Sequence, residues 1–201
     1  MEAGTSARSL IHRCRELEVY RLILNLPNKL TLFRMFIIPV FLLFLLGFAG
    51  GIYSRYIALF IFIIAAATDA LDGYIARKYN RVTNFGKFMD PLADKVLVCS
   101  ALIALIETGD ISSMAVIIII AREFIITGFR LVASDSGVVI AASAWGKLKT
   151  ISQMIMVMYL ILGLSGGVFD TVAFVLIAVS VGFTVISAVD YIVKNIGVLK
   201  A

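Results

Sequence analysis

Long apolar runs recur along the chain, and they constrain its fold more than any other feature. Runs near or above about 18 residues, the length that crosses a bilayer as a helix, alternate with short polar connections. Of the 201 residues, 61% are hydrophobic and 15% are charged, whereas a soluble domain has about 25% charged residues. The sequence therefore predicts an all-α, polytopic membrane protein.

Six transmembrane helices are predicted, at about residues 30–50, 54–78, 87–107, 111–133, 145–164 and 168–193. Lys and Arg are concentrated at and beside the connections after the second and fourth helices: Arg77, Lys78, Arg81, Lys87, Arg130, Lys147 and Lys149. The opposite connections hold one cation, Arg55, and the acids Glu107, Asp110 and Asp170. The positive-inside rule then places the basic side and both termini in the cytoplasm. Residues 1–24 are expected to be an N-terminal extension or an amphipathic juxtamembrane segment, and residues 25–201 one transmembrane domain.

Four aspartates occur in this apolar setting, at the cytoplasmic ends of the second and third helices: Asp69, Asp72, Asp90 and Asp94. The first two are three residues apart and the last two are four apart, so each pair projects from one face of its helix. Four neighbouring carboxylates cannot all ionise in a low-dielectric site unless cations compensate them. We expect them to meet in a cavity that opens to the cytosol.

The chemistry of these ligands points to metal-assisted phosphoryl transfer. All-oxygen ligands suit a hard divalent ion, Mg²⁺ or Mn²⁺. Facing carboxylate pairs can hold two such ions, which clamp the attacking and leaving oxygens of a phosphoryl displacement. Arg77 can pair with a phosphate oxygen, Gly73 and Ala76 keep the helix surface open to a bulky ligand, and Gly86 permits a tight turn. A phosphate or diphosphate ester is the expected substrate.

Two other interpretations of the aspartates were weighed. They can form salt bridges with Arg77, Lys87 and Lys95 near the membrane interface, or they can bind the cargo of a cation transporter. Ionisable groups within the membrane are functional by default, which disfavours the first interpretation. The carboxylates lie near one side of the membrane and not at its midplane, and the interrupted helix pairs of transporters are missing, which disfavours the second.

The same residues match the signature of the CDP-alcohol phosphotransferase family, D-x2-D-G-x2-A-R-x8-G-x3-D-x3-D. The matching positions are Asp69, Asp72, Gly73, Ala76, Arg77, Gly86, Asp90 and Asp94. The chain resembles this family from about residue 25 to its end. Eight fixed positions, each occupied by a given residue type at about 5–8% frequency, make a chance match very rare.

The resemblance implies an enzyme that joins an acceptor alcohol to the phosphatidyl group of a CDP-linked lipid and releases CMP. It implies that Asp69, Asp72 and Asp90 bind two divalent metal ions, and that Asp94 both binds metal and acts as general base. Gly73, Arg77 and the loop hydroxyl of Thr83 would bind the nucleotide of CDP-diacylglycerol. The stretch LPNKLTLFR, with Asn28, Lys29, Leu30 and Thr31, would complete that pocket, since a helix start favours phosphate.

Three stretches resemble the branch of the family whose acceptor is sn-glycerol 3-phosphate: NLPNKLTLFR, AREFIITGFR and GKLKT. Inositol phosphate, serine and phosphatidylglycerol are the alternative acceptors, and all would keep the same aspartates. The resemblance also implies a homodimer in a bacterial-type cytoplasmic membrane, surrounded by membrane lipids. No nucleic-acid partner is expected.

An anionic acceptor needs fixed cations, and the candidates are Arg122, Arg130 and Lys147. Glu123 and Arg130 are seven residues apart and share a helix face, so we expect them to pair and to leave Arg122 freer to bind a phosphate. Lys147 and Lys149 diverge by about 200° on a helix. Lys147 is expected to reach the acceptor, and Lys149 to extend toward the lipid headgroups.

Overall fold

The computed structural model describes residues 26–79, 84–135 and 143–195, and these residues are all-helical, with no strand among them. Six α-helices follow one another: α1 (Leu26–Leu45), α2 (Ser54–Tyr79), α3 (Asn84–Glu107), α4 (Ser113–Asp135), α5 (Ala144–Ile161) and α6 (Gly167–Asn195). A single 3₁₀ turn, Gly51–Tyr53, precedes α2. The predicted N-terminal segment, residues 1–24, lies outside the described part.

The predicted helices are all present as helices, and the bounds of α1 and α5 are corrected. Helix α1 starts at Leu26, earlier than predicted. It also stops earlier than predicted, at Leu45, because Gly47 and Gly50, which follow it, adopt φ values of 78° and 88°. Helix α5 stops at Ile161, where Gly163 has φ of 61°. Glycine adopts this left-handed conformation without the steric penalty of other residues and so ends helices.

The chain divides into two compact units. Of the described residues, one unit contains those up to Val40 and those within Ile63–Leu97, and the other contains Phe41–Phe62 and those from Val98 to Asn195. In the second unit, the aromatic rings of Phe41 and Phe62 are fully buried with centroids 5.7 Å apart. Helix α6 packs against both α4 and α5 in the same unit.

The buried residues of helix α6 are all polar or carry a hydroxyl group, and many of its apolar residues are exposed. Its buried residues are Ser180, Thr184, Ser187 and Tyr191, which recur at intervals of four and three. Thr184 Oγ1 donates to the carbonyl of Ser180 at 2.7 Å, and Ser187 Oγ to that of Thr184 at 3.0 Å. Small hydroxyl residues allow close helix packing within a membrane, where the exposed apolar face suits lipid.

Two stretches of the described residues are long and apolar enough to cross a membrane. They are Gly51–Thr68, with mean hydropathy 1.7, and Gly167–Asn195, with mean hydropathy 2.6. Met35–Leu45 is a shorter apolar helix. These stretches are compatible with a membrane protein.

Arg55 connects three parts of the second unit. Its Nη2 lies 3.0 Å from Asp110 Oδ2, and its Nη1 donates to Asp110 Oδ1 at 3.2 Å, which makes a bidentate pair. Nη1 also approaches the carbonyl of Leu160 at 3.5 Å. Thr108 Oγ1 donates to Asp110 Oδ2. The guanidinium thus joins the start of α2, the α3–α4 connection and the end of α5.

Gly163→Ala is expected to destabilise this junction. A Cβ at Gly163 would overlap the Arg55 guanidinium, and alanine is disfavoured at φ of 61° by about 1–2 kcal/mol. The apparent Tm of the purified protein in detergent should fall by about 3–6 °C. Gly182→Ala is the matched control, because a Cβ at this helical glycine meets nothing within 4 Å. Equal melting temperatures for the two variants would contradict the contact.

Candidate active site

The signature residues lie on two continuous helices. Asp69, Asp72, Gly73, Ala76 and Arg77 belong to α2, and Gly86, Asp90 and Asp94 belong to α3. Their side chains lie outside the described residues, as does the whole of Thr83. On these helical backbones, separations of three and four residues place each aspartate pair along one side of its helix.

The start of α1 belongs to the same unit as the signature. Helix α1 begins at Leu26, so Asn28, Lys29, Leu30 and Thr31 all lie in its first two turns, although their side chains are outside the described part. One compact unit contains this segment, Ile63–Tyr79 of α2 and the part of α3 up to Leu97. The structure therefore groups all the helical stretches that were predicted to bind metal and nucleotide.

A cluster of three charged side chains lies between α4 and α5, in the second unit. Arg122 Nη1 lies 3.1 Å from Glu123 Oε1, and Lys149 Nζ donates to the same carboxylate oxygen. The side chains of Arg122, Glu123 and Lys149 are only 13%, 17% and 5% exposed. We call these three residues the ionic cluster. Two cations share one carboxylate, so the cluster has a formal charge of +1.

The Arg122 guanidinium borders the first turn of α5. Ser143 caps this helix by accepting a hydrogen bond from the Gly146 N–H at 3.2 Å. A Cβ built on Gly146 would stand 3.9 Å from Arg122 Nη2. Arg122 Nε is buried and makes no hydrogen bond with any residue in the described ranges. The guanidinium therefore retains donor capacity beyond its contact with Glu123.

Two expectations about this region were wrong. Glu123 is not kept from Arg122, because a long arginine side chain reaches the carboxylate of its own neighbour; the expected Glu123–Arg130 pair stays a prediction. Lys149 does not extend to the headgroups, because it is buried against Glu123. By contrast, Lys147 and Arg130 are exposed. Their predicted role in binding the acceptor stays a prediction.

Lys149 and Tyr191 are the polar residues that sequence reasoning missed. Lys149 of α5 is buried and contacts the Glu123 carboxylate of α4. Tyr191 of α6 is buried, and its ring packs edge-on against Phe129 of α4 with centroids 5.8 Å apart. The signal available for Lys149 was a lysine flanked by apolar residues inside a helix, where charge is retained mainly for function.

This arrangement is suited to an anionic ligand. A net positive, partly desolvated cluster binds an anion more strongly than an exposed lysine does, because water screens it less. Arg presents several donors in a planar fork that matches phosphate oxygens, and Lys adds a point charge. The chemistry of the cluster therefore favours a phosphate group over a neutral alcohol.

Comparison with known proteins identifies the family. The family model described as CDP-alcohol phosphatidyltransferase matches residues 24–186. A Bacillus subtilis (strain 168) protein named CDP-diacylglycerol–glycerol-3-phosphate 3-phosphatidyltransferase is 44% identical over 190 residues, which cover 88% of this chain and 97% of that protein.

Two further relatives have related names. A probable phosphatidylglycerophosphate synthase of Mycobacterium tuberculosis (strain H37Rv) is 44% identical over 174 residues, covering 86% of this chain and 82% of the relative. A Rickettsia typhi protein with the same name as the Bacillus one is 38% identical over 170 residues, covering 83% and 94%. Phospholipid-synthesising relatives and apolar helices together indicate a membrane-associated protein. The chain belongs to the CDP-alcohol phosphatidyltransferase family and is a transferase.

Proposed function

We propose that this enzyme transfers the phosphatidyl group of CDP-diacylglycerol to sn-glycerol 3-phosphate, giving phosphatidylglycerophosphate and CMP. The observation that carries the proposal is the near full-length similarity, at 38–44% identity, to relatives named for this reaction. The complete signature on α2 and α3 supports the transfer step. The ionic cluster, with two buried cations, supports an anionic acceptor.

Asp94 is the general base in this proposal. Its carboxylate accepts the proton of the acceptor hydroxyl as that oxygen forms a bond to the phosphorus of the phosphatidyl group. The bond from this phosphorus to the CMP oxygen breaks, and CMP leaves with the electron pair. A carboxylate within hydrogen-bonding distance of the hydroxyl is suited to this task.

Metal binding fits the donor set of the signature. Asp69, Asp72, Asp90 and Asp94 supply only carboxylate oxygens, which hard divalent ions prefer, and the helical spacing of each pair on α2 and α3 lets both members face one ligand. Two Mg²⁺ or Mn²⁺ ions, when bound, would neutralise phosphate charge and polarise the reacting phosphoryl group. Without such cations four close carboxylates would repel one another.

The nucleotide pocket is assigned to the same unit. Gly73, Ala76 and Gly86 have at most a methyl group as side chain, which would suit a bulky ligand, while Arg77 and Thr83 would supply a charge and a hydroxyl for it. The first turns of α1 add free N–H groups and the positive end of the helix dipole. The N–H groups and the helix dipole together favour binding of a diphosphate. The residues at the start of α1 that are assigned to this pocket are Asn28, Lys29, Leu30 and Thr31.

The acceptor phosphate is assigned to Arg122 and Lys149. Arg122 retains an unpaired buried donor, Nε, within the described residues, and Lys149 contacts the same Glu123 carboxylate oxygen as Arg122 does. Lys149 thus takes the place first given to Lys147. Lys147 and Arg130, both exposed, are assigned to guiding the anion toward the cluster.

The protein is proposed to cross the membrane six times, with both termini and the active-site cavity in the cytoplasm. The six observed helices have lengths of 18–29 residues, close to the roughly 20 residues that a span requires. The buried polar face and exposed apolar face of α6 support lipid contact. The Lys and Arg residues at the end of α2 and the start of α3, and those in the last turns of α4 and the first turns of α5, support the orientation. A homodimer follows from the family resemblance.

The reaction itself is tested by incubating the purified protein with CDP-diacylglycerol, glycerol 3-phosphate and Mg²⁺ or Mn²⁺ and measuring CMP. We expect CMP release that depends on glycerol 3-phosphate and stops with EDTA. Parallel reactions contain inositol phosphate, serine or phosphatidylglycerol instead. CMP release with one of these and none with glycerol 3-phosphate would overturn the acceptor, and no release with any would overturn the reaction.

Asp94→Asn is expected to lower kcat by about 100-fold or more, because an amide cannot accept the proton. Binding of CDP-diacylglycerol should partly survive, since an amide oxygen still binds metal weakly. Rapid-mix turnover and equilibrium binding of the nucleotide lipid measure the two effects separately. Turnover near the wild-type rate would rule out Asp94 as the base.

Arg122→Ala is expected to raise KM for glycerol 3-phosphate about tenfold or more, because a charge-assisted hydrogen bond to phosphate is lost. KM for CDP-diacylglycerol should change far less. Lys149→Met should act in the same way, whereas Lys147→Met should have the smaller effect. A larger effect at Lys147 than at Lys149 would return the acceptor role to the exposed lysine.

A further inference from the structure

Glu123 contacts cations from two different helices. One of its carboxylate oxygens, Oε1, contacts both Arg122 on α4 and Lys149 on α5. We propose that Glu123 is a positioning residue, which holds these two cations close enough together to bind one phosphate group of the acceptor. This inference rests on the proposed function.

The shared oxygen fixes the spacing of two side chains from different helices. Because each nitrogen is within hydrogen-bonding distance of the same atom, the two lie within about 6 Å of each other. A single phosphate can contact two donors at that separation. Both side chains are long and otherwise have many rotamers, so the carboxylate removes conformational freedom that phosphate binding would otherwise have to remove.

The negative charge of Glu123 and its positioning of the two cations have opposite effects on the affinity of the cluster for a phosphate. As a negative charge, Glu123 lowers the net charge of the cluster from +2 to +1 and so weakens its attraction for an anion. As a positioning residue, it prevents the two cations from repelling each other and moving apart. Because Lys149 is buried and the Arg122 side chain is only 13% exposed, little water screens this repulsion. Positioning therefore outweighs neutralisation in this proposal.

The two roles predict opposite changes in Glu123→Gln, a variant of nearly the same shape without the charge. Positioning predicts that KM for glycerol 3-phosphate rises about tenfold, as expected for loss of one charge-assisted contact, while KM for CDP-diacylglycerol stays within about twofold. Glu123→Asp keeps the charge with a shorter reach and should restore part of the loss. Steady-state kinetics of the full-length protein, with each substrate varied in turn, measure both constants.

A matched control and a double variant complete the test. Glu107→Gln makes the same chemical change at an exposed carboxylate outside the cluster and should leave both KM values unchanged. In a Lys149→Met background the effect of Glu123→Gln should shrink, because a positioning residue acts through its partners. A purely structural role would lower stability and kcat without this coupling.

Several outcomes would overturn the proposal. A lower KM for glycerol 3-phosphate in Glu123→Gln would show that neutralisation is the dominant role, and equal changes for both substrates would show a general structural role. Should Glu123→Gln fail to fold, Glu123→Asp decides, and a wild-type KM in that variant contradicts positioning. Failure of the proposed function is distinct, because wild-type protein would then release no CMP with glycerol 3-phosphate.

Discussion

A charged side chain among apolar helices needs a partner of opposite charge. The polar contacts that join side chains from distant parts of the described chain are mainly contacts of this kind. Arg55 is neutralised by a bidentate contact with Asp110, whereas Lys149 and Arg122 share one carboxylate, that of Glu123, and keep a formal charge of +1. Each compensating pair or cluster also joins separate parts of the chain. Buried charges are retained at a cost in desolvation, and here the same contacts that compensate them hold helices and connections together.

The charges of the signature aspartates are proposed to be balanced by bound divalent metal ions and not by residues of the chain. These four carboxylates have the opposite charge to the ionic cluster, whose formal charge is +1. A diphosphate lipid and an anionic acceptor need both kinds of group: cations held by carboxylates for the reacting phosphoryl group, and fixed cations for the acceptor phosphate. One polar face on α6, formed by Ser180, Thr184, Ser187 and Tyr191, shows that even the most apolar helix packs through polar residues.

Much of the fold could be predicted from the sequence, because the length of an apolar run and the glycines at its end are local properties. The six helices follow from them, although the left-handed glycines at positions 47 and 50 end α1 earlier than apolarity alone suggests. The aspartate pairs could also be found, because spacings of three and four have meaning within a single helix.

The ionic cluster could not be predicted in the same way. The divergence of Lys147 and Lys149 follows from helical geometry, but which of them faces α4 depends on how α4 and α5 pack, and that is a long-range property. The pairing of Arg122 with Glu123 was missed for another reason: a rotation of 100° per residue separates two Cβ atoms, yet a long side chain reaches across it. The angle between two positions on a helix therefore predicts whether their side chains meet only when those side chains are short.

The central claim, that four carboxylates on α2 and α3 hold divalent cations for phosphoryl transfer, is tested most directly by anomalous diffraction from crystals grown with Mn²⁺. The account predicts anomalous peaks with carboxylate oxygens of Asp69, Asp72, Asp90 and Asp94 at about 2.0–2.5 Å. Carboxylates that point apart, with no anomalous peak between the two helices, would contradict it.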